Sequence, residues 1–117
     1  MKVLITGAAG FFGAELQFHM NDMDRDYISP DITFKENTEN YLDVRFSENF
    51  NKYVDKDITH IIHLAALQFS PNVPKKLNKQ QDYFDATNVI GTKNVIKFAQ
   101  KIGINKIIFV STDMVYG

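Results

Sequence analysis

A chain of 117 residues can form one domain around one core, and 44% hydrophobic against 23% charged residues is the balance of an ordinary globular protein. A formal net charge of −1 supplies nothing to draw the chain to nucleic acid or to an acidic membrane surface. There is no cysteine, which excludes disulfide frameworks, thiolate metal sites and cysteine nucleophiles, and is compatible with a reducing cytoplasm.

Val3-Leu4-Ile5 is a short apolar run with β-branched residues, closed by Thr6-Gly7, and predicts a buried strand. Lys2 followed by apolar residues to Ala14 faintly resembles a signal peptide. Against that reading, Gly7, Gly10 and Gly13 recur at strict intervals and a helical pattern follows directly. No apolar run approaches the roughly 20 residues of a membrane span.

Phe11 to about Met20 predicts a helix with Phe12, Leu16 and Met20 on its apolar face. Tyr27-Ile28-Ser29 reads as a second strand, stopped by Pro30. Residues 31–40 are polar and irregular, and Tyr41 to Val44 is a short extended third strand. Ser47 is placed to cap a short helix running to about Val54, with Glu48 in its first turn.

Ile58 to Leu64 is the next strand. Residues 67–80 carry Pro71, Pro74 and Lys75-Lys76, and read as a loop. From Gln81 to Ile102 the spacing of Phe84, Asn88, Gly91, Val95, Phe98 and Ile102 predicts a long helix, stopped by Gly103. Ile107 to Val110 is a continuous apolar run, expected to be a fully buried strand. Strands and helices that alternate in this way predict an α/β fold: a doubly wound parallel sheet with right-handed crossovers and helices on both faces. No internal repeat or domain boundary interrupts residues 1–117.

The segment Thr6-Gly-Ala-Ala-Gly-Phe-Phe-Gly13 stands where the first strand hands over to a helix. In such a turn Gly7 permits the tight bend, Gly10 lets a diphosphate approach the backbone, and Gly13 lets helix and strand pack closely. The amino terminus of the helix offers N–H groups and partial positive charge to the same diphosphate. The spacing is GxxGxxG rather than GxGxxG, and no Lys-Ser/Thr pair follows to make a phosphate loop of the nucleotide-hydrolase type. Asp31 follows Gly13 by 18 residues, at the end of the second strand, where a carboxylate can accept from adenosine ribose hydroxyls. Such a carboxylate repels a 2′-phosphate and favours NAD over NADP. Its competing reading is a plain turn aspartate after Pro30.

Four motifs in order resemble the extended short-chain dehydrogenase/reductase family, the NAD-dependent epimerases and dehydratases of nucleotide sugars. They are Met1 to Gly13; His63-Leu64-Ala65-Ala66; Asn88-Val-Ile-Gly-Thr-Lys-Asn94; and Val110-Ser-Thr-Asp-Met-Val-Tyr-Gly117. The resemblance implies a Rossmann-type sheet of order 3-2-1-4-5, cut after its fifth strand, with the substrate domain absent. It implies that Gly7, Gly10, Phe11, Phe12 and Gly13 line the diphosphate and that Asp31 holds the adenosine ribose. Asp43 would accept from the adenine amino group, with Val44 packed on the ring. Leu64, Ala65, Ala66 and Gln68 would run toward the nicotinamide ribose, Asn88 would brace the site, and Val110 and Ser111 would lie by the nicotinamide. Thr112 would match the catalytic Ser/Thr that hydrogen-bonds a substrate hydroxyl or carbonyl. Each of these has a plainer rival: Asp43 as a solvated strand-end carboxylate, Asn88 as a partner for buried backbone, Thr112 as a strand-end hydroxyl.

Phe12 and residues 31–40 and 67–80 depart from the family pattern. Residues 31–40 and Ser111-Thr112-Asp113 are also similar to the dTDP-rhamnose-forming reductases, a branch on which no expectation is placed. Family chemistry uses a tyrosine and a lysine four residues apart. Tyr27, Tyr41, Tyr53 and Tyr83 are followed four residues on by Asp31, Arg45, Asp57 and Thr87, and Tyr116 is followed only by Gly117. The chain is thus expected to bind NAD and to be catalytically incomplete, with a nucleotide sugar as substrate of an intact parent. Its alternative is a non-catalytic dinucleotide-binding or interaction module. A cytoplasmic location and a homodimer through the helix 81–102 are further expectations, and no nucleic-acid or membrane partner is expected. His60 and His63 stand three apart on a strand and point to opposite faces, so no metal site is expected there.

Overall fold

The computed structural model describes residues 1–65 and 86–110. Its centre is β1 (Lys2–Thr6), flanked by β2 (Asp26–Ile28) and β3 (His60–His63), with β4 (Ile107–Phe109) beyond β3. All pairings are parallel, in the order β2-β1-β3-β4. The register sets Val3 opposite both Tyr27 and His60, and Thr6 opposite His63.

Side chains alternate across β1 and so feed two cores. Val3 and Ile5 pack with Ala8 and Met20 on the side covered by α1 (Phe11–Asp22). Leu4 packs on the other face with Ile61, Val44, Phe50, Tyr53, Val95 and Phe98. That core brings in α2 (Gly91–Ile102) and a 3-10 helix over Ser47–Tyr53. The sheet is therefore doubly wound, as the alternation of strands and helices requires. Gly103 ends α2 with φ +82°, and the N–H groups of Gly103 and Ile104 return to the carbonyls of Gln100 and Ala99.

The third expected strand is reduced to one parallel bridge between Asp31 and Tyr41. Beyond the bridge, side chains take over several of its backbone groups. The Tyr41 carbonyl accepts from the Lys52 ammonium, the Val44 carbonyl from Asn94 Nδ2 at 2.9 Å, and the Asp43 N–H donates to Asn49 Oδ1 at 3.2 Å. The strand order matches the expected 3-2-1-4-5 with that element shrunk to its bridge.

Three further expectations are corrected. Ser47 does not cap its helix: Phe46 takes the N-cap position and no side chain bonds there. The described part of the long helix opens as a π-turn over Ala86–Ile90 before α2 begins. The strand around Ile108 is not fully buried. Ile108 is 59% exposed, and among the described residues β4 pairs only with β3.

Candidate functional site

The glycine turn separates its three glycines by what a side chain would meet. A Cβ on Gly7, whose φ is +69°, would lie 2.6 Å from the Ala65 nitrogen, so β1 and the end of β3 approach here as only glycine allows. A Cβ on Gly13 would lie 2.2 Å from the Ala8 carbonyl oxygen, which presses α1 onto the turn. On Gly10 a Cβ would meet nothing closer than the Gly7 carbonyl oxygen at 3.6 Å. Packing within the chain explains Gly7 and Gly13. Among the described residues it does not explain Gly10.

Gly10 is also the N-cap of α1 and brings no side-chain acceptor to the helix start, and no acidic residue stands in the first turn. The first turn of the helix thus supplies no side-chain charge of its own against the partial positive charge of that end. The turn itself is fastened from several sides. Ala8 N–H donates to the Pro30 carbonyl at 3.2 Å and Ala9 N–H to Asp31 Oδ2 at 2.9 Å. Gln17 Nε2 donates to the carbonyls of Ala8 at 2.9 Å and Gly13 at 3.1 Å.

Asp31 is therefore at the turn, as its spacing from Gly13 suggests, and is 7% exposed. Its second oxygen accepts from Thr33 N–H at 2.9 Å, so the carboxylate ties the glycine turn to the segment after β2. Asp43 is buried and bound by Arg45: Nε reaches Oδ1 at 2.9 Å and Nη2 reaches Oδ2 at 2.6 Å. It is neither solvated nor open. Val44 is buried in the core, where a Cβ on Gly91 would lie 2.6 Å from its Cγ2.

At the end of β3, Leu64 N–H donates to the Thr6 carbonyl at 3.1 Å and to Thr6 Oγ1 at 3.2 Å, and Ala65 N–H to Thr6 Oγ1 at 3.3 Å. His63 is buried, and burial pushes its imidazole down to about 4. The Asn88 carbonyl accepts from Thr92 Oγ1 at 2.6 Å, at the junction of the π-turn and α2. Val110 follows β4, 42% exposed, with its N–H directed to the His63 carbonyl at 3.4 Å. Phe12 is 63% exposed beside the turn.

The structure thus brings Gly7, Gly10, Gly13, Asp31, Leu64 and Ala65 together at the carboxyl ends of β1 and β3, where open α/β sheets bind their ligands. Ala66, Gln68, Ser111 and Thr112 lie outside the described residues. So do residues 67–80 and 81–85.

The sequence reading passed over Gln17, Thr6, Thr92 and Arg45. Gln17 carried a usable signal: it follows Gly13 by one helical turn, on the face that must meet the turn. Among the described residues, no group of three or more His, Asp or Glu side chains is placed to hold a metal ion, and no helix is long and apolar enough to cross a membrane. An open depression of about 760 Å³ between residues 36 and 56 is lined by Tyr41, Phe46, Lys52 and neighbours, and none of the expected site residues lines it.

A model of the "NAD dependent epimerase/dehydratase family" matches residues 3–117. A dTDP-D-glucose 4,6-dehydratase of Dictyostelium discoideum is 33% identical over 135 aligned positions, which take in 99% of this chain and 30% of that enzyme. The structure of UDP-glucose 4-epimerase from Bifidobacterium longum, in complex with NAD+ and UDP, superposes with a TM-score of 0.78 at 28% identity. It covers 100% of this chain and 38% of that one. A dTDP-4-dehydrorhamnose reductase from Clostridium acetobutylicum superposes with a TM-score of 0.74 at 30% identity, covering 99% and 38%. The chain spans between a third and two fifths of the length of these structures.

Proposed function

Because the chain belongs to the NAD dependent epimerase/dehydratase family, we propose that it forms the dinucleotide-binding part of an enzyme that epimerises, dehydrates or reduces a nucleotide sugar. The observation that carries this reading is the glycine turn. Gly7 and Gly13 are demanded by contacts inside the chain, whereas among the described residues nothing crowds Gly10. A diphosphate is the group that fits: it needs backbone N–H donors, partial positive charge and no intervening side chain.

In this reading Gly10, Phe11, Phe12 and the first turn of α1 hold the diphosphate. Asp31 accepts from the adenosine ribose while its other bonds keep Ala9 and Thr33 in place. Asp43 and Val44 form the adenine end, where an amino group would share the Asp43 carboxylate with Arg45. Leu64, Ala65, Ala66 and Gln68 follow the cofactor toward its nicotinamide ribose, Asn88 braces them, and Val110 and Ser111 flank the nicotinamide. When bound, NAD supplies the hydride acceptor. Thr112 would hold a substrate hydroxyl or carbonyl by a hydrogen bond.

No tyrosine in the 117 residues has a lysine four positions on, so the proton transfer that accompanies hydride transfer is assigned to residues of an intact parent. The chain as it stands is expected to bind and not to turn over. The NAD preference, a cytoplasmic location and a homodimer through the helix ending at Ile102 belong to the same proposal. Support for the dimer comes from Val89, Ile90 and Ile96, which are apolar and exposed along that helix.

Titration calorimetry with NAD and NADP tests the reading. The wild-type chain should bind NAD more tightly than NADP, and Gly10→Val, which fills the space over the turn, should abolish NAD binding. Asp31→Ala should narrow the NAD-to-NADP ratio. The ratio separates the ribose role from the loss of the Ala9 and Thr33 tethers, which weakens both cofactors alike. Unchanged NAD affinity in Gly10→Val would overturn the assignment of the turn.

A further inference from the structure

His63 ends β3 directly opposite Thr6 of β1, and among the described residues its buried ring makes two polar contacts. Nδ1 lies 2.7 Å from Thr6 Oγ1, and Nε2 lies 3.4 Å from Thr92 Oγ1. The other bonds at these hydroxyls decide where the ring proton sits. Thr6 Oγ1 already receives the Ala65 N–H and a share of the Leu64 N–H, which also donates to the Thr6 carbonyl at 3.1 Å, and these two donors occupy its acceptor positions. Its own hydrogen must leave the oxygen, and the short contact directs it to His63 Nδ1. Nδ1 therefore carries no proton, and Nε2 carries one.

At the far side, Thr92 Oγ1 gives its hydrogen to the Asn88 carbonyl and is left able to accept from Nε2–H. Every donor then meets an acceptor in a single sense, from the Leu64 and Ala65 amides through Thr6, His63 and Thr92 to Asn88. A charged ring would direct Nδ1–H at a Thr6 oxygen that already holds two donors and would leave the Thr6 hydrogen unpaired. Among the described residues, no charged group faces the ring. The described side chains in polar or ring contact with it are Thr6 from β1, Thr92 from α2, and Phe109 from β4, whose ring stands edge-on with centroids 5.7 Å apart.

We infer that His63, as the neutral Nε2–H tautomer, is a positioning residue that fastens the Leu64–Ala65 wall of the dinucleotide groove to Thr6 on one side and to Asn88 on the other. The groove rests on the cofactor reading above. The tautomer and the chain of hydrogen bonds do not.

Ring-nitrogen chemical shifts of the 15N-labelled chain, followed from pH 7 to pH 5, test the tautomer in the wild-type protein. An unprotonated Nδ1, a protonated Nε2 and no titration over that range are expected. A protonated Nδ1, or titration near the ordinary histidine value, overturns the proposal.

Two variants test the positioning. His63→Asn retains an acceptor where Nδ1 stood, and His63→Leu retains none. NAD dissociation constants are expected to rise about tenfold in His63→Leu and distinctly less in His63→Asn. Equal losses would reduce His63 to a space-filling role and overturn the positioning. If the wild-type chain binds no NAD, the cofactor reading fails by itself. Amide exchange at Leu64 and Ala65 then decides the positioning: faster exchange in His63→Leu than in His63→Asn is expected, and equal exchange overturns it. Should His63→Leu fail to fold, the tautomer measurement in the wild-type protein remains decisive.

Discussion

A single buried imidazole gives this chain a pH dependence whose sign can be worked out. His63 titrates near 6.5 when the chain is unfolded and at about 4 when folded. Between those values the unfolded chain takes up a proton that the folded chain refuses. Stability therefore falls as pH drops from 6.5 toward 4, and this group adds no further slope below 4. The full span is worth up to about 3 kcal/mol, since each pH step of one between the two values contributes about 1.4 kcal/mol. His63→Gln removes the titration. Urea unfolding of wild type and variant across pH 7 to 4 should show a steeper loss in the wild type, and parallel curves would show that His63 does not carry the slope. The carboxylates contribute to both proteins equally, so the difference between the curves isolates the histidine.

Among the elements, the handover from β1 to α1 is the most tightly dictated. Gly13→Ala would put a methyl group 2.2 Å from the Ala8 carbonyl oxygen, a backbone atom that cannot swing aside. Since Ala8 is itself held by Pro30 and Gln17, either α1 moves off the sheet or the turn distorts. A loss of about 1–3 kcal/mol is expected from thermal or urea unfolding, although alanine is the better helix former. A gain in stability would contradict the close contact. This handover was legible in the sequence because close approach leaves a local mark: a glycine at each point of contact. The stop at Gly103 was legible for a related reason, since a left-handed residue ends a helix wherever it falls. The shrinking of the third strand to a single bridge was not legible. Two of its carbonyls and one amide are satisfied by Lys52, Asn94 and Asn49, side chains that no strand pattern announces. Nor was the chain through His63, which joins residues 57 and 29 positions apart and depends on the register of two strands. The Asp43–Arg45 pair lay two residues apart in plain view. Its geometry still needed the backbone bend that follows the bridge at Tyr41.

At the scale of the molecule, the sheet carries a core on each face of β1 and, among the described residues, ends at β4. Ile108, Phe109 and Val110 are 59%, 46% and 42% exposed, and among the described residues β4 has a partner on one edge only. Unpaired N–H and C=O groups beside exposed apolar side chains favour pairing with another chain. A second apolar surface runs along the π-turn and α2 through Val89, Ile90 and Ile96. Either could bring two copies together, and the two differ in chemistry. A strand edge associates through backbone hydrogen bonds and can add copies without limit, whereas a helix face pairs two copies about an axis and stops. Sedimentation velocity on the 117-residue chain and on two variants separates them. Ile108→Lys places a charge on the strand edge, and Ile96→Lys places one on the helix face. If β4 is the associating surface, the wild type should show a broad, concentration-dependent distribution that Ile108→Lys collapses to monomer and Ile96→Lys leaves unchanged. A discrete dimer lost only in Ile96→Lys is the outcome expected of the proposed helix interface and would leave β4 without a part in it. Both variants change exposed positions, so far-UV circular dichroism should stay that of the wild type, and the altered association can be read as a property of the surface.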